Sequence, residues 1–264
     1  MIRVEDVHVT FNPGTPIETR ALRGLDLDIP AGQFVTVIGS NGSGKSTLLN
    51  VLCGEVAPER GRVTIGQDDV TAWTTHRRAG RVARVFQDPM AGTCEALSIE
   101  ENLALAQSRG RRRGLRASVG GAERRAFRDH LAVLGLGLED RLEDRMGLLS
   151  GGQRQAVSLV MATLNPLDIL LLDEHTAALD PKTAAFVMEL TDRFVRDGGL
   201  TTLMVTHSMR QALDHGARTV MLHEGRVVLD VDAEQRRGLR VEDLLRMFER
   251  VRGEELSDDS LLLG

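Results

Sequence analysis

One nine-residue stretch restricts the fold of this chain more than any other. It reads Gly39, Ser40, Asn41, Gly42, Ser43, Gly44, Lys45, Ser46 and Thr47. The stretch fits the pattern G-x-x-x-x-G-K-[ST] and directly follows the apolar run Phe34–Ile38, which predicts a buried strand, a glycine turn and a helix beginning near Gly44. Backbone N–H groups in such a turn bind phosphate oxygens, helped by the helix N-terminus. All nine residues are therefore candidates for a phosphate loop in an α/β fold.

The lysine of this loop stands out in a chain whose cations are almost all arginine. Of 33 basic residues only Lys45 and Lys182 are lysine. Because a lysine ammonium is a compact point charge, Lys45 is predicted to contact the β and γ phosphates of a nucleotide. The Ser46 hydroxyl is predicted to ligate Mg2+. A glycine-rich turn without a ligand is the competing interpretation, and the flanking strand and helix argue against it.

Composition limits where such a chain works. The 264 residues are 42% hydrophobic, enough for a full core, and the net charge of -5 argues against nucleic acid as a partner. No apolar run has the length of a membrane span, and the first residues lack the apolar segment of a signal peptide. Cys53 and Cys94 have no metal spacing and favour a reducing cytoplasm. Membrane association is expected only through a partner.

The first 29 residues predict an antiparallel hairpin, because apolar and polar residues alternate along them. The first strand is predicted to end at Phe11, before a turn at Asn12, Pro13 and Gly14. An aromatic ring at that position can stack on an adenine face, and a core or edge aromatic is an equal alternative. Further short strands are predicted at residues 61–66 and 82–86.

Residues 87–148 are predicted to begin with a ligand group and to continue mostly as helix. Gln87 follows a strand at its carboxyl end, where α/β sheets place their ligand groups. Helical spacing begins at Ile99 and resumes through Phe127. Between them, the arginine-rich residues 109–116 are either a solvated loop or a basic patch for membrane headgroups or a partner.

A second turn of small residues also precedes a helix. It reads Leu149, Ser150, Gly151, Gly152 and Gln153, and the apolar run 156–164 follows it. Ser150 can cap this helix and donate to an oxyanion, while the free N–H groups of the turn bind anions. By itself this sequence is also a common turn, so its neighbours decide the interpretation.

Acidic residues follow the next strand. Residues 169–172 are all apolar, which predicts a strand buried on both faces that ends at Asp173 and Glu174, at the ligand edge of the sheet. Asp173 is predicted to hold Mg2+ through its water shell, and Glu174 to deprotonate the water that attacks the γ phosphorus. His207 follows the predicted strand 200–205 and is expected to contact the γ phosphate. Strands at 218–222 and 226–229, a helix with an apolar stripe from Val241, and a loosely ordered acidic end complete the chain.

Together these motifs resemble the ATP-binding subunits of ABC transporters, from residue 2 to about residue 230. The phosphate loop, a Q-loop at Gln87, the pentad at 149–153 and the strand ending at Asp173 and Glu174 come in the order of that family, with a D-loop at 177–180 ending at Asp180 and a switch histidine at His207. The pentad is the specific element, since a phosphate loop alone occurs in many NTPases. The resemblance implies an α/β P-loop NTPase core with a mostly parallel sheet, an N-terminal antiparallel β subdomain and an inserted α-helical subdomain.

The resemblance also implies how the chain is divided and what it binds. Residues 1–86 would form the nucleotide-binding core with the antiparallel subdomain, 87–148 the Q-loop and helical subdomain, 149–230 the rest of the ATPase core, and 231–264 a C-terminal helix and tail. ATP and Mg2+ would be the cofactors, with Ser46, Gln87 and Asp173 at the metal. Lys45, Gln87, Glu174 and His207 would form the catalytic set.

Two ATPase subunits of this family pair head to tail, as a homodimer or with a related subunit. The resemblance therefore implies that residues 150–153 and Asp180 of one chain complete the ATP site at the phosphate loop of the other. Phe11 falls where the family places its adenine-stacking aromatic. The segment 87–148 would receive an integral membrane permease.

Residues 85–93 and 173–180 are similar to a bacterial branch that works with a periplasmic substrate-binding protein and a permease, some of whose members are assigned to aromatic amino-acid uptake. This implies import, with the chain in the cytoplasm on the inner face of the cell membrane. His175 stands where proline is usual and Ala177 where serine is frequent, but neither change touches Lys45, Glu174 or His207. A soluble ABC ATPase without a transport role, such as that of iron–sulfur cluster assembly, is the alternative, and a co-purifying membrane protein would separate the two.

Overall fold

Two β-sheets form the framework of the chain, in a computed structural model that describes residues 1–110 and 119–252. In chain order the strands are β1 (Ile2–Phe11), β2 (Thr19–Ile29), β3 (Phe34–Ile38), β4 (Arg60–Ile65), β5 (Asp68–Asp69), β6 (Val82–Val85), β7 (Ile169–Asp173), β8 (Thr202–Val205), β9 (Arg218–His223) and β10 (Arg226–Val231). Most of the arginine-rich segment 109–116 and the acidic C-terminal end lie outside the described residues.

The helices are α1 (Lys45–Cys53), α2 (Thr75–Arg78), α3 (Ile99–Gln107), α4 (Gly121–Ala132), α5 (Gly151–Thr163), α6 (Pro181–Gly198), α7 (Met209–Asp214) and α8 (Val241–Arg252). Two short 3-10 turns, Leu138–Asp140 and Met146–Leu148, lead from α4 to α5. Among the described residues no helix is long and apolar enough to cross a membrane.

The smaller sheet is antiparallel, with strand order β2-β1-β4-β5. The predicted hairpin is its β1–β2 pair, in which Ile2 lies opposite Ile29. The buried residues of β1 change from even positions (Ile2, Val4) to odd positions (Val7, Val9), because the register shifts between Val4 and Val7. A bulge therefore keeps one apolar face in the core along the whole strand.

The larger sheet has the order β10-β9-β3-β8-β7-β6, and its five strands from β9 to β6 are parallel. Only the edge strand β10 is antiparallel, which confirms the predicted mostly parallel sheet. Val37 of β3 and Asp173 of β7 both lie opposite Val205 of β8. The carboxyl ends of these three strands therefore meet at one edge, where the phosphate loop begins.

Strand β7 is buried on both faces, as its apolar run predicts. Ile169 and Leu171 pack in the core that contains α1 and the antiparallel sheet, whereas Leu170 and Leu172 pack in a second core with α3, α4 and α5. The sheet thus joins the phosphate-loop helix on one side to the helical arm on the other. A third cluster packs α8 on the sheet edge through Leu244 and Phe248, in agreement with the predicted C-terminal stripe.

Candidate active site

The phosphate loop connects β3 to α1 through positions that only glycine can occupy without strain. Gly39 has φ 152° and Gly44 has φ 104°. A Cβ on Gly39 would lie 2.3 Å from the Leu222 carbonyl oxygen, and one on Gly44 would lie 2.7 Å from the Ala21 carbonyl oxygen. The glycines therefore allow both an unusual backbone path and close contact with the neighbouring strands.

Lys45 is held inside this loop. Its Nζ donates to the carbonyl oxygens of Gly39 at 2.7 Å and Ser40 at 3.1 Å, and the residue is 6% exposed. Burial lowers the pKa of Lys45, while the negative charges of Glu174 and Asp173 raise it in part. The ammonium and the two predicted acidic residues are thus close enough to interact, as a shared nucleotide site requires.

Several polar groups in the loop have capacity for an anion. Gly44 gives α1 no side-chain cap, so the first N–H groups of the helix are available to a ligand. The Ser43 hydroxyl is buried and has no hydrogen-bond partner within residues 1–110 and 119–252. Since buried polar groups are normally satisfied, these donors fit the phosphate oxygens of a nucleotide.

The β9–β10 turn supports the phosphate loop from outside, a feature that sequence analysis missed. Gly225 N donates to the Ser43 carbonyl oxygen at 3.0 Å, and Arg23 N donates to the Gly225 carbonyl oxygen at 3.0 Å. Arg23 also forms an ion pair with Glu224 at 2.8 Å. These contacts join residues far apart in the sequence, so no local pattern signals them.

Glu174 and His207 form a close pair beside the loop. Glu174 Oε1 and His207 Nε2 are 2.6 Å apart, and the Glu174 side chain is 11% exposed. Burial raises the pKa of the Glu174 carboxyl, and the charges of His207 and Lys45 offset this in part. A carboxylate that is shifted upward and touches a histidine suits a general base, which works best with a pKa near the operating pH.

Asp173 is engaged by Arg84, a residue that sequence analysis did not single out. An Arg84 Nη atom lies 2.6 Å from Asp173 Oδ2, and the two side chains are 11% and 16% exposed. The sequence feature that could have revealed Arg84 is its position inside the apolar strand β6, where Val82, Ala83 and Val85 are buried. A charge within a buried strand needs a partner, and Asp173 supplies it.

The donor set at this edge fits Mg2+. Asp173 offers a carboxylate, and Ser46, in the first turn of α1, has an exposed hydroxyl. Gln87 is exposed just after β6. These are hard oxygen donors, and the described parts of the chain contain no group of three or more His, Cys, Asp or Glu side chains that could hold a metal by themselves. An incomplete protein shell suits Mg2+, which binds through one or two carboxylates together with water and substrate phosphates.

The loop that carries His207 is tied to its neighbours by side chains that sequence analysis also missed. Thr206 Oγ1 donates to Gln211 Oε1 at 2.7 Å and accepts from Ser208 N at 3.1 Å. Gln211 Nε2 in turn donates to Thr176 Oγ1 at 3.3 Å. The network therefore links the histidine loop to the segment that follows Glu174.

The pentad forms the N-terminus of α5. Ser150 Oγ accepts from Gln153 N at 3.3 Å, and Gln153 Oε1 accepts from Ser150 N at 3.1 Å. This is a capping box, as the predicted capping role of Ser150 requires. Ser150 and Gly151 are exposed, whereas Gly152 is buried so closely that a Cβ would lie 2.1 Å from Thr183 Cγ2. The Ser-Gly end of the helix faces solvent.

The D-loop lies beside this helix terminus. Asp180 caps α6 by accepting from Thr183 N at 3.2 Å, and its side chain is exposed. Gly151 is close to Leu179, since an added Cβ would be 3.4 Å from a Leu179 methyl. No hydrogen bond or ion pair among the described residues joins 150–153 to the phosphate loop of the same chain. The helices that carry the two predicted anion sites also pack in different cores, on opposite faces of the sheet, so the two sites are separate in one chain.

Phe11 lies at the end of β1 with 39% of its surface exposed, as an aromatic that stacks on a ligand would be.

A groove of about 930 Å³ lies between β6, the segment that follows Gln87, α3 and α5. Three polar atoms in its wall are buried without a partner in the described parts of the chain: Arg84 Nε, Arg109 Nε and Ser158 Oγ. The groove is thus a second surface with unsatisfied donors.

Comparison with known proteins agrees with this geometry. Residues 22–177 match the ABC transporter family model. The tyrosine transport ATP-binding protein of Clostridioides difficile is 43% identical over 252 residues, covering 94% of this chain and 99% of that protein. An aliphatic sulfonates import ATP-binding protein, SsuB of Rhodopseudomonas palustris, is 35% identical over 84% of this chain and 73% of its own length.

Solved structures give the same result. The dimeric, post-hydrolysis structure of an ATP-binding cassette bound to ADP and Pi is 30% identical and superposes with a TM-score of 0.75, covering 88% of this chain and 99% of that one. The resemblance inferred from the motifs and the predicted fold class are both confirmed. This chain belongs to the ABC transporter family, as an ATP-binding subunit that hydrolyses ATP.

Proposed function

We propose that this chain powers the import of an aromatic amino acid, with tyrosine as the first candidate. It would act on the inner face of the cell membrane, beneath a separate permease that receives substrate from a periplasmic binding protein. The observation that carries this proposal is the likeness to the tyrosine transport ATP-binding protein, which extends over nearly the whole of both chains. The substrate itself would be bound by the other subunits.

In this proposal two copies of the chain, or this chain and a related subunit, enclose ATP. The phosphate loop and Lys45 of one subunit would contact the nucleotide together with Ser150 and Gly151 of the other. Support comes from the exposure of Ser150 and Gly151 and from their separation from the loop of their own chain. ATP then favours the closed pair because only that state contacts it from both sides.

Hydrolysis would follow from the residues grouped at the sheet edge. Glu174 takes a proton from the attacking water, while His207 holds the Glu174 carboxylate and lies beside the γ phosphate. Ser46, Asp173 and Gln87 would hold Mg2+, which supplies positive charge to the β and γ oxygens. Phe11 would stack on the adenine. Loss of the γ phosphate removes the bridge between the two subunits and reopens them.

The groove between β6, α3 and α5 is the proposed binding site for the permease. Arg109 lies partly buried at its edge and donates to the Ala162 carbonyl oxygen at 2.9 Å, but it has no acidic partner within the described ranges. Burial lowers the pKa of this guanidinium, as expected for an uncompensated charge. Leu105 and Met161 provide apolar surface beside it. A cytoplasmic helix with one apolar face and a carboxylate matches these features.

Purification from detergent-solubilised membranes tests this assignment. The chain is expected to retain one polytopic membrane protein, and proteoliposomes containing both, with the binding protein added, should accumulate labelled tyrosine only when ATP is supplied. Arg109→Glu should lower the recovery of the membrane protein by about tenfold, because a repulsive charge replaces an attractive one in the groove. Arg125→Glu, at an exposed position on α4, is the matched control and should change nothing.

Two results would contradict the proposal, one its transport role and the other its substrate. Recovery of a soluble scaffold in place of a membrane protein would favour a cluster-assembly ATPase. Uptake of a different solute, with tyrosine neither transported nor competing, would leave the transport role in place and reject tyrosine as the substrate.

A further inference from the structure

Arg84 occupies a position where β6, β7 and the phosphate-loop helix meet. It lies on β6, where its Cα is paired with Leu171 of β7. Its guanidinium bonds Asp173 Oδ2, at the carboxyl end of β7, at 2.6 Å. It also lies over the ring of Phe86, 4.8 Å from the ring centroid. The side chain is therefore confined on several sides.

The same guanidinium is anchored to α1. Arg84 donates to Asn50 Oδ1 at 2.9 Å and to Glu55 Oε2 at 3.3 Å. Asn50 belongs to the helix that begins at Lys45, and Glu55 follows its end. Arg84 thus links the helix of the phosphate loop to the carboxylate that ends β7.

Only one oxygen of Asp173 is used in these contacts. Oδ2 bonds to Arg84, and Oδ1 has no hydrogen bond among residues 1–110 and 119–252. The carboxylate is thereby fixed in orientation while one oxygen remains available. In metal sites, partners that hydrogen-bond a ligating carboxylate orient it, and their removal typically weakens metal binding by about 10- to 100-fold.

We propose that Arg84 is a positioning residue for the metal site, holding Asp173 by one oxygen so that the other faces the Mg2+ of bound Mg-ATP. The inference rests on the proposed role of Asp173 at the metal. Arg84 itself contacts neither nucleotide nor metal. The guanidinium geometry matters as much as its charge, because separate N–H groups bond Asp173 and Asn50 at the same time.

The test uses Mn2+ as a spectroscopic substitute for Mg2+. The full chain is saturated with ATP, and bound Mn2+ is measured from the loss of the free-ion signal in electron paramagnetic resonance, with binding to ATP alone subtracted. Arg84→Met should raise the half-saturating Mn2+ concentration about tenfold. The dissociation constant of a fluorescent ATP analogue in EDTA should stay unchanged.

Arg81→Met is the matched control. Arg81 lies just before the same strand and forms an ion pair of similar length, 2.7 Å from Asp168, but it does not touch Asp173. It should leave the Mn2+ titration unchanged. Arg84→Lys keeps the positive charge but loses the two separate N–H groups that bond Asp173 and Asn50, so it should still raise the half-saturating Mn2+ concentration severalfold. If Arg84→Met does not fold, the lysine variant tests the proposal in its place.

The outcomes are distinct. An unchanged or tighter Mn2+ affinity in a folded Arg84 variant would overturn the positioning role, since it would mean that Arg84 is neutral or competes with the metal. Equal losses of ATP affinity with Mn2+ and in EDTA would assign Arg84 to general structure and overturn it as well. If the unaltered chain, saturated with ATP, holds no more Mn2+ than ATP alone does, the metal assignment of Asp173 fails, and with it this inference.

Discussion

Glu174 combines an uncommon backbone conformation with a buried carboxylate. Its φ of 47° lies in the left-handed region, where a residue other than glycine is strained by about 1–3 kcal/mol. The conformation is held because Glu174 N donates to the Val205 carbonyl oxygen at 3.0 Å and the side chain contacts His207. The surrounding sheet therefore fixes the direction of the carboxylate before any nucleotide binds.

Glu174→Gln should separate binding from turnover. The amide keeps the shape of the side chain but cannot accept a proton from water, so ATP hydrolysis should fall by about 100-fold or more. ATP affinity should be retained, since Lys45 and the loop are unchanged. Phosphate release and nucleotide titration measure the two effects. Glu189→Gln, at an exposed position on α6, is the control for the loss of a negative charge. Normal turnover in the Glu174→Gln variant would exclude Glu174 as the base.

His175, next to the proposed base, is buried and neutral. Its pKa is lowered from 6.5 to about 4, mainly by burial and also by the nearby charge of His215, while Asp192 opposes the shift. His175 Nε2 lies 2.9 Å from Thr191 Oγ1, whose own proton goes to the Val187 carbonyl oxygen at 2.8 Å. Nε2 is therefore the protonated nitrogen, and the ring has a structural role.

This burial predicts an acid sensitivity. Below its ordinary pKa of 6.5 the histidine takes up a proton in the unfolded chain but not in the folded one, so stability is lost as pH falls toward about 4. Between about pH 7 and pH 5 the loss from this one group should be about 2 kcal/mol. Chemical denaturation at the two pH values should show a smaller loss for His175→Gln. His130→Gln, at an exposed position, should behave as the unaltered chain, and equal pH slopes in all three would contradict the argument.

At the residue scale, motifs predicted Lys45, Asp173, Glu174 and His207 as site residues, and the structure brings all four to the ligand edge of the sheet, at or after the ends of the strands β3, β7 and β8. Arg84 was not identified, since its role depends on Asp173 lying on the neighbouring strand, 89 positions away. An arginine inside an apolar strand was the available signal.

At the scale of elements, the alternation of residues 2–29 and the apolar run of β7 predicted strands correctly. The start of α5 agrees with the predicted capping role of Ser150, since the helix begins at Gly151 behind the Ser150–Gln153 capping box. The bulge in β1 had only a weak signal in the sequence, the change of the apolar residues from even to odd positions. The support of the phosphate loop by Gly225 had none, since it joins distant turns.

At the scale of the whole molecule, the parallel sheet places the phosphate loop, Asp173, Glu174 and His207 at one edge. Two apolar cores flank this sheet and join the loop helix to the helical arm. The pentad does not take part in that cluster. Its Ser-Gly terminus is exposed and makes no hydrogen bond to the phosphate loop among the described residues, so the proposed role of the pentad in binding ATP depends on a second subunit.

The mass of the Glu174→Gln chain in the presence of Mg-ATP tests this requirement most directly. By light scattering it should rise from the 28.9 kDa of one chain to about twice that value, and it should stay at one chain when Ser150→Glu is added, because the new carboxylate repels the phosphates of the facing subunit. The double variant should still bind ATP through its own loop. A single-chain mass with ATP bound to Glu174→Gln, or equal dimer formation with Ser150→Glu present, would contradict the account.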